Sequence, residues 1–264
     1  MSIPKIIHYC WFGRGEIPER DKKCIESWRK YCPDYEIIEW NEDNYDVTQI
    51  PYMKEAYEAK RWGFVPDFIR MDLVYRYGGI YMDTDVELIR PLDELLKYDA
   101  YVGLETETNC IAFGLGFGAK KGSLVLKELC DYYRTLHFVK ADGTLDLLPN
   151  PMIVTEYLKR KGYVIDPKKI GKIGEFVVFP EEYFCPQNFM NGKIKITNKT
   201  YSIHHYHASW KTESEKKALA EYLRYTQMFG EHYGELIYQA NKTLKEKGIG
   251  FMLKKAFIYL MRKH

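Results

Sequence analysis

Short apolar runs alternate with helical spacing through the first third of the chain, and that alternation restricts the fold more than any other feature of its 264 residues. Lys5–Phe12 is apolar, rich in β-branched and aromatic residues and closed by Gly13 and Gly15, which predicts a buried first strand. Cys24, Ile25, Trp28 and Tyr31 then recur at helical spacing over residues 19–31, and the pattern stops before Pro33. Tyr35–Trp40 predicts a second strand. Pro66 suits the first turn of a helix carrying Phe68, Ile69, Leu73 and Val74, which ends at Gly78-Gly79, and Ile80–Met82 follows as a short apolar strand. Later strands are expected at Ala100–Leu104, Ile111–Phe113, Phe117–Ala119, Phe176–Phe179 and Ile194–His207. Helices are expected from Ser123 to near Leu136 and from Pro151 to near Lys161. Helices between the early strands argue for an α/β fold around a largely parallel sheet.

From Lys211 onward the chain changes character and reads as helical and increasingly basic. The 39 Lys and Arg against 37 Asp and Glu give a formal charge of +2, which argues against a dedicated nucleic-acid binder. That balance conceals an asymmetry. Between Lys242 and His264 lie seven basic residues against the single acid Glu246, an excess of six charges, so residues 1–241 carry a net −4. Ile249, Met252, Leu253, Ala256, Phe257 and Leu260 fall on one helical face among Lys254, Lys255, Arg262 and Lys263, which predicts a basic amphipathic helix. Such a helix suits peripheral attachment to an anionic membrane face; the alternative is a terminal helix packed on the body with solvated lysines. The six cysteines form no C-x-x-C pair and follow no secretory signal, so free thiols and a cytoplasmic location are expected. No run approaches the ~18 apolar residues of a membrane span.

Asp83-Thr84-Asp85 places two carboxylates at i and i+2 where an apolar strand ends, and in open α/β sheets ligands bind outside the carboxyl ends of strands. Carboxylates there require a cation or a hydrogen-bond network. Hard oxygen ligands beside substrate phosphates suit Mg²⁺ or Mn²⁺. Asp67 and Arg70, three apart, share a helix face. They form either an intrahelical ion pair or a site in which Arg70 neutralises phosphate while Asp67 accepts hydrogen bonds from sugar hydroxyls. His204, His205 and His207 alternate on the predicted last strand, so 205 and 207 share a face and 204 opposes them; any of the three could meet a metal.

Four ordered motifs carry a family resemblance: Pro4-Lys5-Ile6-Ile7-His8 through Trp11, Asp67-x-x-Arg70, Gly78-Gly79-Ile80-Tyr81-x-Asp83-x-Asp85, and His204-His205-x-x-x-Ser209-Trp210. Over residues 3–211 the chain resembles glycosyltransferase family 32, the DXD sugar transferases that include capsule and lipopolysaccharide enzymes, yeast initiating mannosyltransferases and, distantly, clostridial glucosylating toxins. The resemblance implies a GT-A fold, with a Rossmann-like, mixed, mostly parallel sheet, over residues 1–211 and a helical segment over 212–264. It also implies a retaining hexosyl transfer from a nucleotide-sugar, a UDP-sugar in the first instance, to a glycan or lipid-linked acceptor in surface polysaccharide synthesis, with Mn²⁺ or Mg²⁺. By position, Trp11 is similar to the aromatic that stacks on the base, although a core role is its alternative. Asp67 and Arg70 resemble the pair that holds donor sugar and diphosphate. Asp83 resembles the first DXD acid, touching ribose, sugar and metal, and Asp85 the direct metal ligand. Trp210 resembles the tryptophan that reaches the leaving diphosphate, Ser209 joins it in donor binding, and His205 is the protein metal ligand from the same loop. His207 is not part of the family pattern, and Asn150-Pro151 stands where Gly-Pro is usual.

Two other classes stay open. Asp83-Thr84-Asp85-Val86 also fits the first motif of a HAD-type phosphatase, although no downstream acidic metal motif of the G-D-x-x-x-D kind follows. A non-catalytic carbohydrate-binding protein would account for the aromatics but not for the acids.

Overall fold

The computed structural model describes the backbone of residues 2–106, 108–208 and 211–261, and the side chains of these except 231 and 249–261. The chain divides into two compact units, Met1–Phe189 with Lys193–Trp210, and Met190–Gly192 with Lys211–His264.

In the first unit the expected alternation is present: β1 (Ile6–Cys10), α1 (Glu19–Tyr31), β2 (Glu36–Trp40), α2 (Pro51–Glu58), α3 (Pro66–Tyr77), β3 (Gly79–Tyr81) and β4 (Val86–Leu88). There follow β5 (Ala100–Leu104), β6 (Ile111–Ala112), β7 (Phe117–Ala119), α4 (Leu124–Tyr133), α5 (Asn150–Arg160), β8 (Gly171–Ile173), β9 (Phe176–Phe179) and β10 (Ser202–His204). The central sheet has the order β2-β1-β3-β7-β5-β9-β8, with β6 added beside β5. Strands β2, β1, β3, β5 and β9 run one way; β7 is antiparallel between β3 and β5, and β6 and β8 are antiparallel to β5 and β9. The fold is therefore mixed α/β with a mostly parallel central sheet.

Both faces of the sheet are covered. Strand β5 shows why: Ala100, Val102 and Leu104 enter a core built with α2 to α5, whereas Tyr101 points into a second core with Ile25 and Trp28 of α1. Trp28 fixes α1 by donating its indole N–H to the Val86 carbonyl at 2.7 Å, so α1 is tied to the strand just after the paired acids.

Two segments depart from the sequence pattern. The predicted strand Ile194–His207 shrinks to β10, because a turn closes over Thr197–Thr200 and the chain enters left-handed conformation at Tyr206 (φ 52°) and Ala208 (φ 48°). Helix α2 was not foreseen: eight residues offer barely two turns of periodicity, and tertiary burial of Tyr52, Met53 and Ala56 decides its conformation.

The second unit is helical from Glu213 to Met261, interrupted at Gly230 (φ 77°) and Gly248 (φ 74°). The stretches either side of Gly230 fold back on each other. Tyr222 meets the Tyr238 ring edge-on, Asn241 donates to the Tyr225 hydroxyl, and Lys245 pairs with Glu221 at 2.8 Å. Gly234 permits this closeness, since a Cβ there would lie 2.4 Å from Thr226 Cα. No helix among the described residues is long and apolar enough to cross a membrane. The apolar side chains of 249–260 and the basic side chains interleaved with them lie outside the described side chains, and the expected amphipathic face lies with them.

The turn from α3 into β3 sets the position of everything that follows. Gly78 (φ 71°) ends the helix, and a Cβ on Gly79 (φ 102°) would lie 2.8 Å from the Ile6 carbonyl. Fully buried His8 stitches this corner: its Nε2–H donates to the Gly78 carbonyl at 2.9 Å, and Nδ1 accepts the Trp40 indole N–H at 3.2 Å. That pairing requires the neutral ring, and burial, opposed by the Gly78 bond, pushes its pKa below 6.5. Protons then bind the unfolded chain first as pH falls, so this stabilisation is complete above 6.5 and is lost as pH drops through the folded value. His8→Gln, which can keep both hydrogen bonds, is expected to lose up to about 1.4 kcal/mol per pH unit of the acid sensitivity. Unfolding followed by tryptophan fluorescence between about pH 7 and 5 checks this; parallel profiles for the two proteins would contradict it.

Candidate functional site

Asp83-Thr84-Asp85 forms the tight turn between β3 and β4, with the Val86 N–H donating to the Asp83 carbonyl at 3.1 Å. Trp11 leaves the carboxyl end of β1, the parallel neighbour of β3, so the aromatic and the acids emerge from the same edge of the sheet. Trp11 donates its N–H to the Trp40 carbonyl at 2.9 Å and its indole N–H to the Gly15 carbonyl at 2.6 Å, and it remains partly exposed.

Helix α3 brings the other predicted pair to the turn. Almost the whole helix is buried, including Asp67, Arg70 and Asp72. Buried charge of this kind needs partners. Asp72 accepts from the Tyr45 hydroxyl at 2.8 Å and pairs with Arg76 at 3.2 Å, which closes a structural pair remote from the turn. Arg70 faces the acids instead: its Nη2 lies 3.3 Å from Asp67 Oδ1 and 3.5 Å from Asp83 Oδ1, and its Nε donates to the Pro66 carbonyl at 3.2 Å. Tyr52 donates to Asp67 at 3.3 Å, Tyr81 donates to Asp83 at 3.0 Å, and the guanidinium lies 5.3 Å from the centre of the Tyr81 ring.

Gly114 forms the floor. Its carbonyl accepts the Asp83 N–H at 2.9 Å, and a Cβ on it would lie 2.0 Å from Asp83 Oδ2 and 3.2 Å from Arg70 Nη1. Glycine thus leaves room for the Asp83 carboxylate itself, whose side chain is 28% exposed.

The three acids are electrostatically unlike. Burial and the Asp83 charge push Asp67 up to about 7 against the opposing pull of Arg70 and Tyr52. Burial, then the Asp85 charge, also raises Asp83. For Asp85, burial acts upward but is outweighed by His204 and by the His207 backbone N–H, which hold it below the usual carboxylate range. Asp85 therefore holds its charge to lower pH than an ordinary carboxylate, and its repulsion of Asp83 would be relieved by a cation lying between them.

His204 Nε2 lies 3.2 Å from Asp85 Oδ1, so of the three histidines His204 is the one whose ring reaches the second acid. Burial lowers its pKa, yet the Asp85 partner carries it well above 6.5. His205, assigned to the metal in the sequence reading, is held by Glu87 at 2.8 Å rather than by either acid of the turn. His207 Nδ1 meets Asp21 Oδ1 at 2.5 Å. The rings of 205 and 207 stack at 5.3 Å, on a common side as their spacing predicted. Ser209 and Trp210 lie outside the described residues.

Several participants escaped the sequence reading. Tyr81 was visible within its motif but carried no assigned role, and Tyr52 sits on the unforeseen α2. Gly114 has no local signal, since its need for a bare Cα arises from Asp83 across the chain. Asp21 was not singled out, because nothing within the charged stretch Glu19-Arg20-Asp21-Lys22-Lys23 marks it as buried, yet it is fully buried.

Donor atoms in the turn suit a hard divalent ion. Asp83 and Asp85 offer two carboxylates, and Mg²⁺ or Mn²⁺ is commonly held by one or two carboxylates with substrate phosphates completing the shell. No group of three or more His, Cys, Asp or Glu placed to hold a metal occurs among the described residues, so such a site would draw its remaining ligands from the substrate or from elsewhere.

Residues 18–102, which include Asp67, Arg70, Asp83 and Asp85, match the family described as glycosyltransferase sugar-binding region containing DXD motif. The chain is 38% identical over 109 residues to inositol phosphoceramide mannosyltransferase 3 of Schizosaccharomyces pombe, covering 38% of this chain and 29% of that protein. It is 31% identical over 104 residues to mannosyl phosphorylinositol ceramide synthase SUR1 of Saccharomyces cerevisiae, covering 38% and 27%. The chain therefore spans less than a third of the length of these curated relatives. Among solved structures, a glycosyltransferase involved in glycosylation of the major capsid of PBCV-1 aligns over 81% of this chain and 98% of its own, at 12% identity and a TM-score of 0.45. Residues 18–102 are thus similar to the DXD-containing glycosyltransferase sugar-binding region, and that stretch holds all four of Asp67, Arg70, Asp83 and Asp85.

Proposed function

We propose that the chain is a divalent-metal-dependent hexosyltransferase that takes its sugar from a nucleotide-diphosphate sugar and delivers it to a glycan or lipid-linked acceptor. The observation that carries this reading is Arg70, buried between Asp67 and Asp83 beside the Asp83-Thr84-Asp85 turn. Breaking a sugar–phosphate bond develops negative charge on the departing diphosphate, and preorganised cations in a desolvated site stabilise such charge most effectively. Arg70 supplies one fixed cation. Asp83 and Asp85 would hold the divalent ion, which when bound adds Lewis-acid stabilisation of the leaving diphosphate. Asp67 accepts hydrogen bonds from sugar hydroxyls, and Trp11 offers a partly exposed indole face for the base. Trp210 and Ser209 complete donor binding by the family pattern. The family resemblance implies retention of configuration; with the acceptor attacking from the leaving-group side, a phosphate oxygen takes its proton and no residue of the turn is required as a nucleophile.

The curated relatives are named for mannosyl transfer to inositol phosphoceramide, so GDP-mannose joins the UDP-sugars as a donor to be tested. A lipid-linked acceptor in surface polysaccharide synthesis agrees with the seven basic residues of 242–264, which would hold the protein peripherally on an anionic membrane. Removal of residues 242–264 is expected to abolish sedimentation with anionic liposomes at low salt; equal sedimentation of the full and shortened chains would contradict the attachment.

A panel of UDP- and GDP-sugars with Mn²⁺ tests the reading. One nucleotide-sugar is expected to raise the thermal midpoint in a metal-dependent manner, and Asp85→Asn to remove that response and lower transfer by about a hundredfold or more. Gly114→Ala, which drives a methyl into Asp83 Oδ2, is expected to weaken donor stabilisation at least about tenfold while the far-ultraviolet circular dichroism stays unchanged. Release of inorganic phosphate from sugar phosphates without any nucleotide response would overturn the proposal in favour of a phosphatase. Binding of free glycans alone would point to a lectin.

A further inference from the structure

His207 is the histidine that the family pattern does not contain, and it is pinned at three points. Its backbone N–H donates to Asp85 Oδ2 at 2.9 Å, its carbonyl accepts from Arg20 Nη2 at 2.9 Å, and its ring Nδ1 lies 2.5 Å from Asp21 Oδ1. Two consecutive residues of α1 thus grip one residue of the loop after β10, and the same loop residue grips the second acid of the turn. Asp21 also reaches the middle residue of that turn, with Thr84 donating to Asp21 Oδ2 at 3.4 Å. The stacked ring of His205, itself held by Glu87, backs the imidazole.

The backbone around His207 is in an unfavourable conformation. Tyr206 and Ala208 are both left-handed without being glycine, at φ 52° and 48°. Non-glycine residues so placed are strained and persist where the surroundings over-determine them. A loop that needed only to return from β10 to the surface would not require two such residues around a single side chain. What the arrangement achieves is to aim one backbone N–H at Asp85 and to fix the chain immediately before Ser209 and Trp210.

We propose that Asp21 and His207 form a latch: positioning residues, not metal ligands, that hold Asp85 and the 205–208 loop in the geometry that binds the divalent ion and the donor diphosphate. The inference rests on the reading of the Asp83-Thr84-Asp85 turn as that binding site. Outer partners that orient metal ligands typically change metal affinity 10–100-fold when removed, which sets the size of the expected effect. The two α1 residues have one task each: Arg20 sets the path of the loop through a carbonyl, and Asp21 sets its rotation through a ring.

The latch is tested on the full chain by titrating Mn²⁺ in the presence of UDP and, in parallel, GDP, and by recording the half-saturating Mn²⁺ concentration and the metal-free thermal midpoint. His207→Ala keeps the backbone N–H but loses the ring, and is expected to raise half-saturation about tenfold or more with little change in the midpoint. His207→Asn keeps a donor where Nδ1 stood and is expected to return half-saturation to within about threefold of the wild type. Combined with Asp21→Ala, His207→Ala is expected to cost no more than the larger single effect, because both variants remove one contact. Wild-type Mn²⁺ dependence in His207→Ala, or a lowered midpoint with that dependence unchanged, would overturn the latch. Failure of His207→Asn to restore binding would also overturn it, and would assign the loss to the second ring nitrogen. If Asp21→Ala does not fold, the two His207 variants decide alone. Asp85→Asn separates the two levels of inference: if it leaves half-saturation unchanged, the proposed site and the latch both fall. If it abolishes binding while His207→Ala behaves as the wild type, only the latch falls.

Discussion

Arg70 sits with 7% of its side chain exposed between two carboxylates, and a guanidinium in that position cannot shed its charge to escape the cost of burial. Three acids, Asp67, Asp83 and Asp85, gather at this edge of the sheet, and Arg70 contacts two of them. Asp85 is balanced separately by His204. The result is a site in which Arg70 and His204 face the gathered carboxylates inside the protein. Removing one member of such a buried pair costs about 3–5 kcal/mol, because the survivor is left desolvated and unpaired, so the arrangement constrains the fold as well as the chemistry.

The rest of the first unit can be understood as what delivers Arg70 to that point. Helix α3 can be buried nearly all round because its charged residues are paired, Asp72 with Arg76 and Tyr45, Asp67 with Arg70 and Tyr52. Its direction into β3 is fixed by two glycines in left-handed conformation and by the neutral His8 ring beneath them. Strand β3 then needs only three residues before the acids, and its pairing with β1 and β7 places them at the carboxyl edge of the sheet. A single inversion, β7 antiparallel between β3 and β5, brings the segment containing Gly114 back under Asp83.

Much of this was legible in the sequence for a physical reason: the elements that build the edge are dominated by local signals. Helix α1 runs over residues 19–31 as its periodicity predicts, α3 starts at Pro66 and stops at Gly78, and β3 ends where the acids begin. The i,i+3 spacing of Asp67 and Arg70 placed them on one helix face and left pairing as one of two readings; it gave no sign that Asp83 would share the same guanidinium. What could not be read was set across the chain. Which of three neighbouring histidines would face Asp85 depended on the antiparallel pairing of β10 with β4, which sets His204 opposite Val86. Asp21 carries no mark of burial in a run of charges, and Gly114 is required only because another segment's carboxylate fills the space of its missing side chain.

What the carboxylates of Asp83 and Asp85 and the guanidinium of Arg70 do when donor is present decides whether this edge of the sheet is the donor site. The most direct measurement is a crystal structure of the full chain with Mn²⁺ and the nucleotide-sugar that stabilises it. The account predicts the ion on oxygens of Asp83 and Asp85, shared with the diphosphate, and the Arg70 guanidinium within hydrogen-bond reach of a phosphate or sugar oxygen. An ion and diphosphate bound elsewhere, with Arg70 still engaged only by Asp67 and Asp83, would contradict it.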